Sequence, residues 1–175
     1  MTVALRRAWA KDLDALTLYE LLKLRVEVFV VEQASPYPEL DGRDLLGETR
    51  HFWLEALDGE VICTLRLTEE HAGGRKVFRI GRLCTKRAAR GHGHTTRLLR
   101  AALAEVGDYP CRIDAQTYLA EMYAQHGFVR DGDEFLDGGV PHVPMLRPGG
   151  PPSPHAVTRP ASSAGGPGAA TEPVP

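Results

Sequence analysis

The alternation of apolar and polar residues predicts a mixture of strands and helices. Apolar, strand-like runs occupy residues 52–57, 61–67 and 78–85. The first two runs are separated by Asp58-Gly59, a dipeptide typical of tight hairpin turns. Between residues 17 and 31 the apolar positions recur at near-helical spacing, and Thr17 with Glu20 forms a candidate capping box. We therefore predict a mixed sheet flanked by helices.

Residues 80–99 predict a strand, a glycine-bearing loop and an amphipathic helix in direct succession. The loop has the sequence RGHGHT and stands where the helix begins. Gly107 follows the last apolar position of the helix and predicts its end. The apolar positions that define this helix are Leu98, Leu99, Ala102, Leu103 and Val106.

The start of this helix is a candidate phosphate site. A helix N-terminus presents backbone N–H groups without intrahelical partners and a partial positive charge. Gly91 and Gly93 leave these amides unhindered, and Arg90 adds a planar fork of donors. An ordinary surface turn is the alternative interpretation. The loop matches neither the P-loop pattern nor the G-x-G-x-x-G dinucleotide pattern.

A second unit follows over residues 111–128, where CRIDAQTYLAEMYAQHGF predicts a short strand and a helix of two or three turns that Gly127 closes. With this order of elements the chain resembles the GNAT superfamily of acyl-CoA-dependent N-acetyltransferases. The pyrophosphate loop of that superfamily follows [QR]-x-x-G-x-[GA]. Arg90 and Gly93 match the pattern, whereas Thr95 replaces the usual Gly or Ala and is bulkier.

Four ordered blocks between about residues 5 and 147 resemble the ElaA-like branch of that superfamily. The first, residues 18–45, is similar to L-x-x-L-x-x-R-x-x-V-F-V-x-E-Q…Y-x-E-x-D-G-x-D and is followed by His51. IGRLCTKRAARG and AQTYLAEMYAQHGF resemble the I-G-R-V and A-Q-x-x-L-x-x-F-Y-x-x-x-G-F stretches, with Met122 in place of Phe. DGGVPHVPM resembles E-D-G-I-P-H-x-x-M.

The resemblance implies an α/β (α+β) fold with a mixed, mostly antiparallel central sheet flanked by helices. In such a fold two strands splay apart to form the acyl-CoA cleft. It implies acetyl-CoA as co-substrate and direct attack by a primary amine in a ternary complex. The backbone of Leu83 and Thr85 would bind the pantetheine arm, and an N–H near Cys84 would polarise the thioester carbonyl. The residues expected at the pyrophosphate are Arg90, Gly91, His92, Gly93, His94 and Thr95.

Tyr123 aligns with the tyrosine that many GNAT enzymes place near the CoA sulfur, so the resemblance implies a general acid that protonates the leaving thiolate. A purely apolar packing role is the alternative. A base or a water relay is also needed, because a primary amine is almost entirely protonated at pH 7. The acceptor-site candidates are Glu32, Glu39, Asp41, His51 and His142. Fixing a turn is the alternative role for Glu32, while a tight turn at Asp41-Gly42 and a rigid proline-bounded loop at His142 favour structural roles for those two residues.

Cysteine and histidine spacing argues against other chemistries. Cys63, Cys84 and Cys111 lie singly in apolar runs, which predicts buried, reduced thiols. Cys84 as an acyl-carrying nucleophile is the rival hypothesis, but it has no evident histidine partner. His92 and His94 lack further ligands at metal-binding spacing, so no metal is expected.

Composition predicts one domain over residues 1–147. A formal charge of −2 and a pI near 6.4 disfavour a nucleic-acid partner. The sequence has no long apolar run or signal-peptide core, so we expect a cytoplasmic protein without a membrane span. Residues 148–175 hold eight of the thirteen prolines and predict a disordered tail.

Two other functions stay open on the sequence. An acyl transferase of the acyl-homoserine-lactone-synthase type shares an N-terminal V-F-V-x-E-Q-like stretch. A non-catalytic module that only binds acetyl-CoA is the other. The sequence leaves a homodimer open as well.

Overall fold

The computed structural model describes residues 3–150 and forms one eight-stranded sheet with helices on both faces. The strands are β1 (Val3–Trp9), β2 (Thr49–Ala56), β3 (Val61–Ala72), β4 (Arg75–Thr85), β5 (Cys111–Gln116), β6 (Val129–Arg130), β7 (Phe135–Asp137) and β8 (Val140–Arg147). The α-helices are α1 (Ala15–Arg25), α2 (His94–Val106) and α3 (Ala120–Ala124).

The sheet runs in the order β1-β2-β3-β4-β5-β8-β6, and β7 pairs with β8. Every pairing is antiparallel except that of β4 with β5. This parallel pair is also the shortest contact between central strands, because only Phe78 and Arg79 of β4 pair with Cys111 and Arg112 of β5. The predicted mixed, mostly antiparallel sheet with a splayed strand pair is confirmed.

The hairpin predicted at Asp58-Gly59 joins β2 to β3, with Gly59 at φ +87°. Strands β3 and β4 are longer than predicted, since they continue to a second turn at Gly73-Gly74. The extra residues are mostly polar, so hydrophobic alternation does not reveal them. Ladder hydrogen bonds hold this extension, together with cross-strand ion pairs such as Lys76 with Glu69 at 2.9 Å.

Helix α1 begins earlier than the predicted capping box. Asp14 is the N-cap, because its carboxylate accepts hydrogen bonds from the Thr17 backbone N–H at 2.8 Å and from the Thr17 hydroxyl at 2.7 Å. The expected cap at Thr17 is therefore wrong. The helix continues beyond Arg25 as a π-helical segment, Val26–Glu32, so the predicted end near residue 31 agrees with the structure.

The two long helices pack on opposite faces of the sheet. Along β2, Phe52 and Leu54 face the cluster under α2, while Trp53 faces the cluster under α1, as strand alternation requires. The buried residues of α2 are Leu98, Leu99, Ala102 and Val106, four of the five positions predicted for this face. Burying one such leucine contributes about 1.5–3 kcal/mol. Helix α3 is shorter than predicted, one turn preceded by a 3-10 turn, and Gly127 follows it at φ +86°.

The end of the described chain lies against the turn after α2. The Gly150 N–H donates to the Asp108 carbonyl at 2.9 Å, so ordered structure continues three residues past the predicted boundary. The rest of the predicted tail, residues 151–175, lies outside the described residues. Within residues 3–150, no helix has the length and apolarity that crossing a membrane demands.

Candidate active site

The splayed strands β4 and β5 open a cleft with a volume of about 780 Å³. Beyond Arg79 and Arg112 the two strands no longer pair, so their polar backbone edges face the space between them. One end of the cleft reaches the loop before α2, and the other is lined by polar and charged residues from the segment after α1 and from β7 and β8. The cleft is therefore a site with distinct ends.

A bulge in β4 shapes the wall of this cleft. Thr64 pairs with Cys84 and Arg66 with Gly81, so Leu65 alone faces both Arg82 and Leu83. Arg82 adopts φ +55°, a conformation rare for a residue with a Cβ. The bulge turns part of the β4 backbone away from β3. A ligand, rather than a neighbouring strand, can then form hydrogen bonds with this part of the backbone. Leu83, Cys84 and Thr85, the residues predicted to contact pantetheine, all line the cleft.

The loop between β4 and α2 leaves the start of that helix open. Gly91 and Gly93 have φ +79° and +75°, and a Cβ built on either residue would meet nothing within 4 Å. Gly93 is the N-cap, and no side chain of the described residues caps the first turn. The free amides and the helix dipole together favour an anion here. Arg90 and Thr95, on either side of the glycines, line the cleft.

Arg90 is held in place by two groups. Its Nε donates to the Thr85 carbonyl at 3.0 Å, and its Nη1 and Nη2 donate to the two oxygens of Glu32 at 2.6 and 2.9 Å. These bonds lower the pKa of Glu32. The predicted pyrophosphate arginine thus connects the end of the π-helical segment to the end of β4.

The other polar side chains of the loop bond within it. His92 Nδ1 donates to the Arg90 carbonyl at 2.8 Å, and its ring stacks on His94. Desolvation, with the nearby His92 and Arg97, lowers the pKa of His94 and so favours its neutral form. The Thr95 hydroxyl bonds the Thr85 hydroxyl at 2.9 Å. The extra bulk at position 95 is therefore bonded to the end of β4.

Tyr123 lies at the inner wall of the cleft. It is 4% exposed, and its ring meets Phe128 edge-on at 5.9 Å. Burial raises the pKa of Tyr123, which keeps the phenol protonated across neutral pH. The structure thus places Tyr123 both in the core and on the cleft, so the two roles considered for it do not exclude each other.

All three cysteines are buried free thiols. Burial raises the pKa of Cys63 to about 11 and that of Cys111 to about 12, and it raises the pKa of Cys84 well above its ordinary value. A thiol with a raised pKa is a poor nucleophile. Among residues 3–150, no three His, Cys, Asp or Glu side chains converge as metal ligands.

The end of the cleft away from the loop before α2, where the resemblance implies that the amine binds (the acceptor end), is supported by a buried network of arginines and carboxylates. Arg25, 1% exposed, donates to Glu39 at 2.5 Å and to Asp44 at 2.5 and 3.1 Å. Arg66 bonds both Asp44 and Asp41, at 3.1 and 2.6 Å. The network continues through Arg82, which approaches Glu39 at 2.9 Å and Asp41 at 3.3 Å, and through Tyr37, whose hydroxyl donates to Glu39. It ties α1 to the segment that follows it and to β3 and β4.

Some of the candidate acceptor residues line the cleft, and others do not. Glu32, Asp41 and His142 line the cleft. His51 does not, because it is 1% exposed and its Nε2 donates to the Asp44 carbonyl at 3.0 Å below the network. The sequence interpretation missed other lining residues, although several lie inside the resembling blocks, next to residues that were chosen. The polar residues missed in this way are Gln33, Ser35, Tyr37, Arg43, Arg66, Arg79, Arg82, Asp114, Gln116, Tyr118 and Asp137.

The network predicts loss of stability in acid. Burial alone would raise the pKa values of Asp41 and Asp44. Hydrogen bonds and the charges of the neighbouring arginines, chiefly Arg66 for Asp41 and Arg25 for Asp44, together outweigh burial and lower both pKa values. Below about pH 5 the unfolded chain therefore binds more protons than the folded one. The free energy of unfolding then decreases as the pH is lowered. Urea unfolding at a series of pH values measures this slope, which we expect to be shallower in Asp41→Asn. An equal slope in the variant would contradict the assignment.

The chain is similar in sequence to proteins of a known family. The sequence profile described as acetyltransferase (GNAT) domain matches residues 16–147. The chain belongs to the GNAT acetyltransferase family. A UPF0039 protein of Mycobacterium tuberculosis strain H37Rv is 86% identical over 149 residues, which cover 85% of this chain and 96% of the relative.

Two solved GNAT-fold structures match most of the described chain. The crystal structure of an acyl-CoA N-acyltransferase from Pseudomonas aeruginosa superposes with a TM-score of 0.77 and 38% identity, covering 83% of this chain and 99% of that one. The crystal structure of Escherichia coli ElaA superposes with a TM-score of 0.76 and 30% identity, over the same shares. The ElaA-like resemblance predicted from the four blocks is confirmed.

Proposed function

We propose that this GNAT-family protein transfers an acetyl group from acetyl-CoA to a primary amine by direct attack in a ternary complex. The observation that carries the proposal is the uncapped start of α2, which stands behind Gly91 and Gly93 where the loop meets the splayed cleft. A pyrophosphate needs such a set of free amides, and a pantetheine arm needs the unpaired strand edge beside it.

Each part of acetyl-CoA has a matching part of the site. The pyrophosphate would accept hydrogen bonds from the amides after Gly93, with Arg90 at its side. The pantetheine arm would run along the bulged end of β4 at Leu83 and Thr85. A backbone N–H near Cys84 would stabilise the negative charge that develops on the thioester oxygen. Tyr123 would protonate the departing thiolate as general acid.

Replacing Tyr123 tests the catalytic part of this proposal. We expect Tyr123→Phe to lower kcat by about 10- to 100-fold, since a positioned general acid supplies effects of that order or larger. The Kd for acetyl-CoA should stay unchanged, because the ring and its packing on Phe128 remain. Release of free CoA thiol with a panel of primary amines measures turnover, and calorimetry measures binding.

Tyr118→Phe is the matched control, because Tyr118 also lines the cleft but is 74% exposed. Its turnover should stay close to that of the wild type. If Tyr123→Phe retained full turnover, the general-acid role would be wrong. If both variants and the wild type bound acetyl-CoA but acetylated no amine, a non-catalytic binding module would be the better interpretation.

Product analysis distinguishes the remaining alternative. Incubation with acetyl-CoA and with longer acyl-CoAs, followed by mass spectrometry, identifies the acyl group that reaches the amine. Preference for a long acyl chain, with lactone formation, would favour chemistry of the acyl-homoserine-lactone-synthase type. Acetylated amine as the main product supports the proposal.

A further inference from the structure

The structure distinguishes among the groups that can remove the proton of the attacking amine. Two of the five candidates are carboxylates whose oxygens are already engaged by arginines at the cleft wall. Glu32 holds Arg90 with both oxygens. Asp41 lies between Arg66 and Arg82, and its two oxygens accept from Arg66 at 2.7 and 2.6 Å. A carboxylate paired in this way is a weak proton acceptor.

The next two candidates are buried in the protein and do not line the cleft. Glu39 is 4% exposed and is bound by Arg25, Arg82 and the Tyr37 hydroxyl. His51 is buried under Asp44, as described above, and desolvation lowers its pKa. Neither residue is among those that line the cleft. An amine that enters the cleft would therefore not reach them.

His142 differs from these four groups. It is half-buried on β8, opposite Gln116 of β5, and it lines the cleft. Its Nδ1 lies 2.8 Å from the Val140 carbonyl, which can only accept, so Nδ1 carries the hydrogen. The neutral ring then has its lone pair on Nε2, for which the described residues provide no hydrogen-bond partner. The Phe135 ring stacks on the imidazole at 5.9 Å and fixes its plane.

We propose that His142 is the general base of the transfer, with Nε2 as the proton acceptor. This inference rests on the proposed function and adds the residue that its chemistry lacks. The Val140 carbonyl sets the tautomer in the same way that a carbonyl or carboxylate orients other catalytic histidines.

Nε2 acts after the amine has attacked the thioester. The ammonium first loses one proton to solvent. The nitrogen lone pair of the resulting neutral amine then forms a bond to the thioester carbon, and the carbonyl π electrons move to oxygen. Nε2 takes one proton from the positively charged nitrogen of the tetrahedral intermediate. The C–S bond then breaks, the oxygen electrons re-form the carbonyl, and the thiolate receives the Tyr123 proton. Imidazolium and phenolate return to their starting forms through solvent, leaving an amide and CoA thiol.

The charged and titratable groups near His142 come from the elements around it. Asp137 and Glu134 lie on or next to β7, and Asp114 lies on β5, two residues before the partner of His142. Tyr37 comes from the segment after α1. Burial and the hydrogen bond to Glu39 are the main causes that raise the pKa of Tyr37, and the nearby carboxylate of Asp137 adds a smaller contribution.

His142→Asn tests the proposal, since an asparagine amide can still donate to the Val140 carbonyl while Nε2 is lost. With an amine found active in the panel, we expect kcat to fall about 100-fold or more. The Kd for acetyl-CoA should not change, and the acid-side limb of the pH profile of kcat/KM should disappear. Added imidazole should restore part of the rate. His71→Asn, an exposed histidine on β3, is the matched control and should behave as the wild type.

Two results would overturn the inference. One is a His142→Asn enzyme with wild-type kcat and pH profile. The other is available without any acceptor: ¹⁵N NMR of wild-type histidines that finds hydrogen on Nε2 rather than Nδ1 of His142. Failure of the wild type to bind acetyl-CoA would instead contradict the proposed function, so the two failures are distinguishable.

Discussion

Gly93→Asp is expected to weaken acetyl-CoA binding by about 100-fold or more. The new carboxylate would stand at the first amides of α2, where the pyrophosphate is proposed to bind. Two like charges about 4 Å apart repel by about 4 kcal/mol near a protein surface, which is more than enough for this loss. Isothermal calorimetry with acetyl-CoA measures the effect directly.

Gly93→Asn is the matched control for this experiment. Asparagine has nearly the same shape as aspartate and tolerates the φ of +75° equally well, but it carries no charge. Because a Cβ at this position meets nothing within 4 Å, both variants should fold, which thermal unfolding can verify. We expect Gly93→Asn to lose less than about 10-fold in affinity, since it adds no like charge. Equal losses of affinity in the two variants would show that the shape of the new side chain, not its charge, weakens binding. That result would contradict the proposed phosphate site.

Arg25→Met is expected to lower the free energy of unfolding by about 3–5 kcal/mol. The substitution keeps the apolar stem of the side chain but removes the cation that Glu39 and Asp44 share. Both carboxylates are almost fully buried, so they would be left with unfavourable negative charge. Urea unfolding monitored by circular dichroism measures the loss.

Lys23→Met provides the comparison on the same helix. Lys23 is exposed, and among residues 3–150 it pairs only with Glu20, at 3.2 Å, so its removal should leave the unfolding free energy close to that of the wild type. Similar small effects in both variants would mean that Arg66 and Arg82 compensate for Arg25. A large effect confined to Arg25→Met would establish the network as a structural support of the acceptor end.

The network also explains why the acceptor end of the cleft is charged yet contains few free groups. Arg66 and Arg82 line the cleft while their donors bind carboxylates from the segment after α1. This segment is irregular between the π-helical turn and β2, apart from one 3-10 turn, Arg43–Leu45. Because few backbone pairs hold it, side-chain pairing is what positions its residues over β3 and β4.

Local errors in the sequence prediction have local physical causes. Both Asp14 and Thr17 are good N-cap residue types, and the hydroxyl of Thr17 bonds to Asp14 rather than capping a later turn. The polar ends of β3 and β4 lacked an apolar signal, although ion pairs extend the hairpin. The sequence of the π-helical segment before Gln33 has the same apolar spacing as an ordinary helix, so the pattern does not reveal it.

The sequence by itself determined the strands of the core, the helix after the glycine loop and the family, because these depend on periodicity, glycine positions and ordered blocks within short stretches. It also predicted a contiguous set of residues for the proposed acetyl-CoA site, since a helix N-terminus and the loop before it are adjacent in the chain. Only the tertiary structure decided which acidic and histidine residues share the cleft. Glu39 and His51 lie in the same sequence blocks as Asp41, yet long-range pairing with Arg25, Arg82 and Asp44 buries them below the cleft, and no local pattern records those partners.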